Sequence, residues 1–183
     1  KSLLMIFTAA RLRLEPKLQS PTVLIVVDRI DLDTQISGKF YAHNVPNTIT
    51  TTSRPELEKL LKQDVHKVII TTIHKFGEAE GVLNDRENII ALVDEADRTQ
   101  EGELGEKMRN ALPNAFLFGL TGTPIIEGDR NTFTTFGAKE DPTRFLDRYS
   151  MEESVEDGTT LEINFETVPA EYKFEKKAFE DAY

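Results

Sequence analysis

The chain has 183 residues, about the length of one domain, and its 39% hydrophobic and 30% charged residues exclude a disordered or collagen-like protein. Because it has no cysteine and no apolar run of about 18 residues, a disulfide scaffold, a thiol nucleophile, a Cys-based zinc finger and a transmembrane helix are also excluded. The net charge of −10 excludes a generally basic DNA-coating surface, so any contact with nucleic acid must be local.

Helical and strand-like segments alternate through the first two thirds of the chain. Four segments favour helices by their apolar spacing or capping residues: Ser2–Leu14, Asp31–Phe40 (ending near Gly38), a helix capped by Ser53, and Gly102–Leu112. Four apolar runs predict strands: Thr22–Asp28, Lys67–Thr72, Asn88–Asp94 and Asn114–Thr121. The alternation predicts an α/β fold in which a parallel sheet carries helices on both faces.

The pattern changes after Pro124, where no clean period continues through Gly137. Beyond this point we expect a short helix within 142–149, a strand over 159–167 with alternating polarity, and a charged, weakly helical segment over 173–183. These segments look like the exit from a domain. We therefore predict one domain over residues 1–137 and a connecting segment over 138–183.

Two adjacent carboxylates, Asp94 and Glu95, follow the third predicted strand. The carboxyl edge of a parallel sheet is where ligands bind in such folds. In phosphoryl transfer an Asp at this position holds Mg²⁺, and a neighbouring acid orients and deprotonates the attacking water. This pattern points to Asp94 as a metal ligand and Glu95 as the general base, although a solvated acidic turn would read the same way.

A second motif, Thr121-Gly122-Thr123-Pro124, follows the fourth predicted strand. Glycine permits an unusual backbone, and the two hydroxyls can bond a phosphate, a water or the preceding acids. Such a loop could report the state of a bound nucleotide to a neighbouring domain. An ordinary Gly/Pro turn is the alternative.

Lys1 and Ser2 open the first predicted helix. The last two positions of a phosphate-binding loop are Lys, which reaches the β- and γ-phosphates, and Ser or Thr, whose hydroxyl ligates Mg²⁺. The helix N-terminus adds a favourable dipole for phosphate. We therefore expect an ATP site at Lys1 and Ser2, in a fold truncated at its N-terminus because the Gly-rich part of the loop would lie just upstream.

Polar groups also follow the first two predicted strands, and these could grip a nucleic-acid backbone. Helix capping and solvated loop charge are the alternative. The candidate DNA-binding residues are Arg29, Thr72, His74 and Lys75.

Taken together, these motifs resemble the first RecA-like motor domain of superfamily 2 helicases and translocases, and more closely that of the R subunit of type I restriction–modification enzymes. The resemblance covers roughly residues 1–167, and Arg98-Thr99-Gln100 after the acid pair is not a general helicase feature. The similar stretches are Val23–Gln35, Thr71–Phe76, Asn88–Ile125 and Ser154–Glu166.

The resemblance implies a cytoplasmic bacterial or archaeal ATPase that uses ATP and Mg²⁺ to pump double-stranded DNA before a separate nuclease domain cuts it. It implies specificity and methylation subunits as partners. Asp94, Glu95, Lys1 and Ser2 would form the nucleotide and metal site. The coupling residues would be Asp97, Thr121, Gly122 and Thr123.

The sequence departs from the family at Asp97, where the family usually has His. An RNA helicase would also fit an Asp-Glu-Ala-Asp box, although such helicases carry Ser-Ala-Thr where this chain has Thr121-Gly122-Thr123. A non-catalytic scaffold that kept the fold is a third reading.

Overall fold

A computed structural model of the chain describes residues 1–63, 65–77, 79–99, 103–126, 131–137, 140–162 and 164, without the side chains of 30–34 and 99. The chain divides into two compact units, Lys1–Leu146 and Asp147–Tyr183. The division of roles between residues 1–137 and 138–183 stays a prediction. Among the described residues, none of the helices is long and apolar enough to cross a membrane.

The first unit alternates helices and strands, as the sequence predicts. Its helices are α1 (Ser2–Leu14), α2 (Ile30–Ala42), α3 (Arg54–Leu61), α4 (Ala96–Thr99), α5 (Glu103–Ala111) and α6 (Thr132–Phe136), with 3₁₀ turns at Pro16–Leu18 and Ile73–Phe76. Its strands are β1 (Thr22–Val27), β2 (Thr48–Thr50), β3 (Val68–Thr72), β4 (Ile89–Asp94) and β5 (Phe116–Leu120).

The five strands form one sheet in the order β2-β3-β1-β4-β5, and every neighbouring pair is parallel. At the centre, Ile25 of β1 lies beside Ile70 of β3 and Leu92 of β4. In a parallel sheet all strands end at the same edge, so the polar residues that follow β1, β3, β4 and β5 are gathered there.

Two apolar layers cover the sheet, one on each face. On one face α1 and α2 contribute Met5, Ile6, Ala9, Ile36 and Phe40; on the other α3 and α5 contribute Leu57, Leu61, Met108 and Ala111. Helices on both faces of a parallel sheet confirm the predicted α/β class, and the arrangement is the one expected of a RecA-like domain.

The edge strand β5 is less buried than its apolar sequence predicts. Phe116 is 59% exposed, and the strand's other side chains are half-buried at most. The reason is position: β5 has a partner strand only on the β4 side within the described residues.

The predicted helix within 142–149 is wrong. The Asp141 carboxylate accepts hydrogen bonds from the Thr143 N–H (2.8 Å) and hydroxyl (2.6 Å), and Arg144 has a φ of +57°, so the segment turns instead of coiling. A helix instead forms later, α7 (Met151–Glu156), because Ser150 and Glu153 make a reciprocal capping box.

The strand expected over 159–167 is absent from its described residues. The N–H groups of Thr159 and Thr160 donate to the Ser154 carbonyl, closing the end of α7 after Gly158, which has a φ of +68°. Residues 163 and 165–167 lie outside the described part of the chain, and so does the predicted helical segment over 173–183.

Candidate functional site

The structure brings Lys1 against the acid pair. Asp94 is the last residue of β4 and its side chain is 7% exposed, whereas Glu95 begins the following turn and is 30% exposed. Lys1 Nζ lies 2.5 Å from Glu95 Oε1 and 3.6 Å from Asp94 Oδ1, although Lys1 and Asp94 stand at opposite ends of the α1–β4 segment of the sequence. One ammonium therefore faces two carboxylates at the carboxyl edge of the sheet.

The turn that carries Glu95 is sharply bent. Glu95 has a φ of +46°, in the left-handed region that side-chain-bearing residues rarely adopt, and its N–H donates to Asp94 Oδ1 at 3.1 Å. Its carbonyl accepts the Arg98 N–H at 2.9 Å, which starts α4. Such a conformation costs on the order of 1 kcal/mol or more, persists only where the surroundings impose it, and is found most often at functional sites.

Asp97 joins the acidic turn to the loop after β5. Its Oδ1 accepts the Thr121 hydroxyl at 2.6 Å and its Oδ2 accepts the Thr123 hydroxyl at 3.0 Å. Burial alone would raise the pKa of Asp97, but these two hydrogen bonds, with a smaller contribution from the Lys1 charge, hold its pKa below the ordinary value. Asp97 is therefore ionised near neutral pH and grips both hydroxyls of the loop.

Two further residues predicted for these motifs, Ser2 and Gly122, are less closely held by their surroundings than Asp97. Ser2 is the first residue of α1 and is half-buried. Gly122 is exposed, and no atom lies within 4 Å of the position that a Cβ would occupy there. Gly122 therefore leaves room at the tip of the loop without being required by packing.

The candidate DNA-binding residues lie at the ends of β1 and β3, on the same edge of the sheet. Arg29 and His74 are exposed, but Thr72 is only 2% exposed and does not present a surface to DNA in this conformation. Lys75 Nζ donates to the Thr51 carbonyl at 2.5 Å and contacts the Thr51 hydroxyl at 3.4 Å, so it is engaged within the domain.

The sequence did not point to Thr51, the residue that follows the short strand β2 and accepts the hydrogen bond from Lys75. The adjacent Glu56 carboxylate accepts the Thr52 N–H at 2.7 Å and the Thr52 hydroxyl at 2.8 Å, and these hydrogen bonds lower the pKa of Glu56. The sequence predicts the helix cap at Ser53, which follows directly, but not the contact between Thr51 and Lys75.

The donor set at the acid pair suits Mg²⁺. Among the described residues there is no cluster of three or more His, Cys, Asp or Glu side chains that could hold a metal alone. Mg²⁺ in nucleotide sites, however, is held by one or two protein oxygens and by substrate phosphates. The Asp94 carboxylate and Ser2 hydroxyl are oxygen donors of that kind.

Comparison with known proteins shows which family the chain belongs to. The chain matches the SWI2/SNF2 ATPase family over residues 1–183. It is 38% identical, over 91% of its length, to the type I restriction enzyme HindI endonuclease subunit of Haemophilus influenzae. It is 31% identical, over 76% of its length, to the type I restriction enzyme SsaAORF53P endonuclease subunit of Staphylococcus saprophyticus.

The chain spans 17% of the HindI subunit and 16% of the SsaAORF53P subunit. The likeness therefore concerns one part of those proteins. The resemblance to type I restriction-enzyme subunits drawn from the sequence is confirmed, and the chain belongs to the SWI2/SNF2 ATPase family.

Proposed function

We propose that this chain is the ATP-hydrolysing motor domain of a type I restriction-enzyme endonuclease subunit, which moves double-stranded DNA. The observation that carries the proposal is the meeting of Lys1 with Asp94 and Glu95 at the carboxyl edge of the sheet. A lysine that starts a helix and two acids that end a strand are the groups that a magnesium–triphosphate requires.

The residues divide the chemistry among them. The Lys1 ammonium, at the N-terminus of α1, binds and orients the β- and γ-phosphates, and Asp94 with Ser2 would hold the metal. Mg²⁺, when bound, supplies positive charge that neutralises the phosphate oxygens. The Glu95 carboxylate takes a proton from the attacking water as the water oxygen bonds to the γ-phosphorus and the bond to ADP breaks.

Asp97 gives this site a mechanical link. Its carboxylate connects the turn that carries Glu95 to the hydroxyls of Thr121 and Thr123. A shift of the acidic turn during hydrolysis would therefore pull the Thr121–Thr123 loop. In this proposal Asp97, Thr121, Gly122 and Thr123 transmit the nucleotide state toward a second motor domain.

DNA would run along the same edge of the sheet, past the exposed side chains of Arg29 and His74, whereas in this conformation Thr72 is buried and Lys75 is bonded to Thr51. With a net charge of −10 the chain can attract phosphates only through such local groups. The names of the relatives, endonuclease subunits of type I restriction enzymes, support a restriction system. As part of the proposal, the protein would act in the cytoplasm of a bacterium or archaeon. Its partners would be specificity and methylation subunits, and a separate nuclease domain would cut the DNA.

The deciding experiment measures ATP hydrolysis by the intact protein that contains this chain, with duplex DNA, with RNA and with neither. We expect stimulation by duplex DNA. Glu95→Gln should lower kcat by about 10²-fold or more because the proton acceptor is lost. Glu58→Gln is the matched control, since Glu58 lies on the surface of α3 paired with Lys62 and should leave kcat unchanged.

Two results would contradict the proposal in different ways. Stimulation by RNA alone would indicate an RNA helicase. Hydrolysis that is absent in the wild type, or unaffected by Glu95→Gln, would indicate a scaffold that kept the fold without the chemistry.

A further inference from the structure

Gly119 in β5 is a point of close approach between three elements. A Cβ at Gly119 would lie 2.8 Å from the Ala96 Cβ and 2.8 Å from the Phe136 Cγ. Carbon atoms in favourable contact are about 3.5–4.0 Å apart, so a side chain here would collide with both. Glycine is thus required at this position by space, and the ring of Phe136 and the methyl of Ala96 fill the gap it leaves.

This contact lies at the level of the acid pair. In the register of the sheet Gly119 is the partner of Val93, and the next residue of β5 is the partner of Asp94. Ala96 is completely buried and directly follows Glu95. A displacement of Ala96 would therefore shift the neighbouring backbone of Glu95, whose left-handed φ of +46° persists only where its surroundings impose it.

Phe136 is itself tied to the loop after β5. It ends α6, whose first residue, Thr132, makes two hydrogen bonds with Ile125: the Thr132 N–H donates to the Ile125 carbonyl at 2.9 Å, and the Thr132 hydroxyl accepts the Ile125 N–H at 3.0 Å. Ile125 directly follows the Thr121–Pro124 loop. The loop and the acidic turn are thus joined twice, through the polar contacts of Asp97 and through the apolar contact of Phe136.

From this geometry we infer that Gly119 and Phe136 are positioning residues for Glu95. The Phe136 ring holds Ala96 against β5 at Gly119, and Ala96 holds the Glu95 carboxylate in place toward Lys1. Neither residue touches the nucleotide in this account. The inference rests on the proposed function, because it assigns these residues a part in ATP hydrolysis.

The test is steady-state ATP hydrolysis by the intact protein with duplex DNA. Gly119→Ala should lower kcat by roughly tenfold or more while KM for ATP stays within about threefold, because a displaced base weakens the chemical step more than ground-state binding. Gly38→Ala is the matched control: it lies on α2 with no atom within 4 Å of its added Cβ, and kcat should not change.

A variant at Phe136 distinguishes a role in positioning Glu95 from a general loss of packing. Phe136→Ala should lower kcat as well, and in the double variant with Gly119→Ala the loss should be smaller than the product of the two single losses, because the smaller side chain makes room for the added methyl. If circular dichroism shows that Gly119→Ala does not fold, Phe136→Leu tests the inference instead. Phe136→Leu keeps an apolar side chain and should lower kcat severalfold.

Unchanged kcat in Gly119→Ala or in Phe136→Leu, a rise of KM alone, or strictly multiplicative losses in the double variant would overturn the inference. Failure of the proposed function looks different. In that case the wild type does not hydrolyse ATP, or Glu95→Gln hydrolyses it at the wild-type rate.

Discussion

Asp97 shows how one side chain adapts to its surroundings. The family resemblance leads us to expect His at this position, yet the carboxylate has two acceptor oxygens and the loop offers two hydroxyl donors, one from Thr121 and one from Thr123. An ionised carboxylate can accept from both at once, whereas a neutral imidazole has one acceptor nitrogen. The departure is therefore compatible with a link between the acidic turn and the loop.

The lowered pKa of Asp97 makes the link sensitive to acid. Its stabilising contribution is fully present above the unfolded-state pKa of about 3.9 and is lost as the pH falls through the lower folded-state pKa. Wild-type protein should therefore lose protection of the amides of 121–123, 125 and 126 below about pH 4, relative to its own value at neutral pH.

Asp97→Asn should be less protected than the wild type at neutral pH, and the difference between the two should shrink on acidification. Hydrogen–deuterium exchange of the intact protein, with both proteins compared at each pH, measures this. A difference that stays constant from neutral pH down to about pH 3 would show that the ionised carboxylate does not hold the loop.

At the scale of single elements, capping and packing decide where helices begin and end. α3 begins where Ser53 accepts the Glu56 N–H at 3.4 Å, as the sequence predicts. α2 instead runs past Gly38 to Ala42, beyond its predicted end, because Phe40 is completely buried in the sheet-facing layer. Burial of one aromatic side chain outweighs the modest helix cost of an exposed glycine, about 1 kcal/mol.

The cap of α3 can be tested directly. Ser53→Ala removes an acceptor from the first turn and should cost about 1 kcal/mol of local stability, seen as faster amide exchange at the start of α3. Ser53→Asp retains an acceptor and should exchange like the wild type. Equal exchange in Ser53→Ala and in the wild type would mean that packing of Leu57 and Leu61 alone holds the helix.

At the scale of the whole first unit, the central strand β1 packs against both apolar layers. Its alternate residues contribute to the two faces, and all six of its residues are buried. The site depends on this core, because the sheet sets the spacing between the strand ends that carry Asp94 and Thr121.

Ile25→Ala should therefore destabilise the domain strongly. Ile25 is completely buried between α1, α2 and the neighbouring strands, and the truncation should cost about 2–5 kcal/mol. The local free energy of opening, measured by exchange of the β1 amides in the intact protein, reports the loss. Leu14→Ala, at an exposed end of α1, should change it by less than about 0.5 kcal/mol. Similar losses in the two variants would contradict the assigned core.

The residue pattern alone was enough to predict the buried strands, the helices between them and the acid pair at a strand end. These features are local: strands buried on both faces read as continuous apolar runs, and a helix shows its period within a few turns. Lys1, Asp94 and the Thr121–Pro124 loop are likewise marked by local sequence, because each stands at the end of a predicted strand or the start of a predicted helix.

Folding in three dimensions decided the rest. It set the strand order, made β5 an edge strand, brought Lys1 to 2.5 Å from Glu95, and required Gly119 to be bare beside Ala96 and Phe136. Each of these depends on residues far apart in the chain that meet only when the sheet assembles. Neither composition nor spacing carries such distances, because contacts between remote segments are settled by close packing of the whole core.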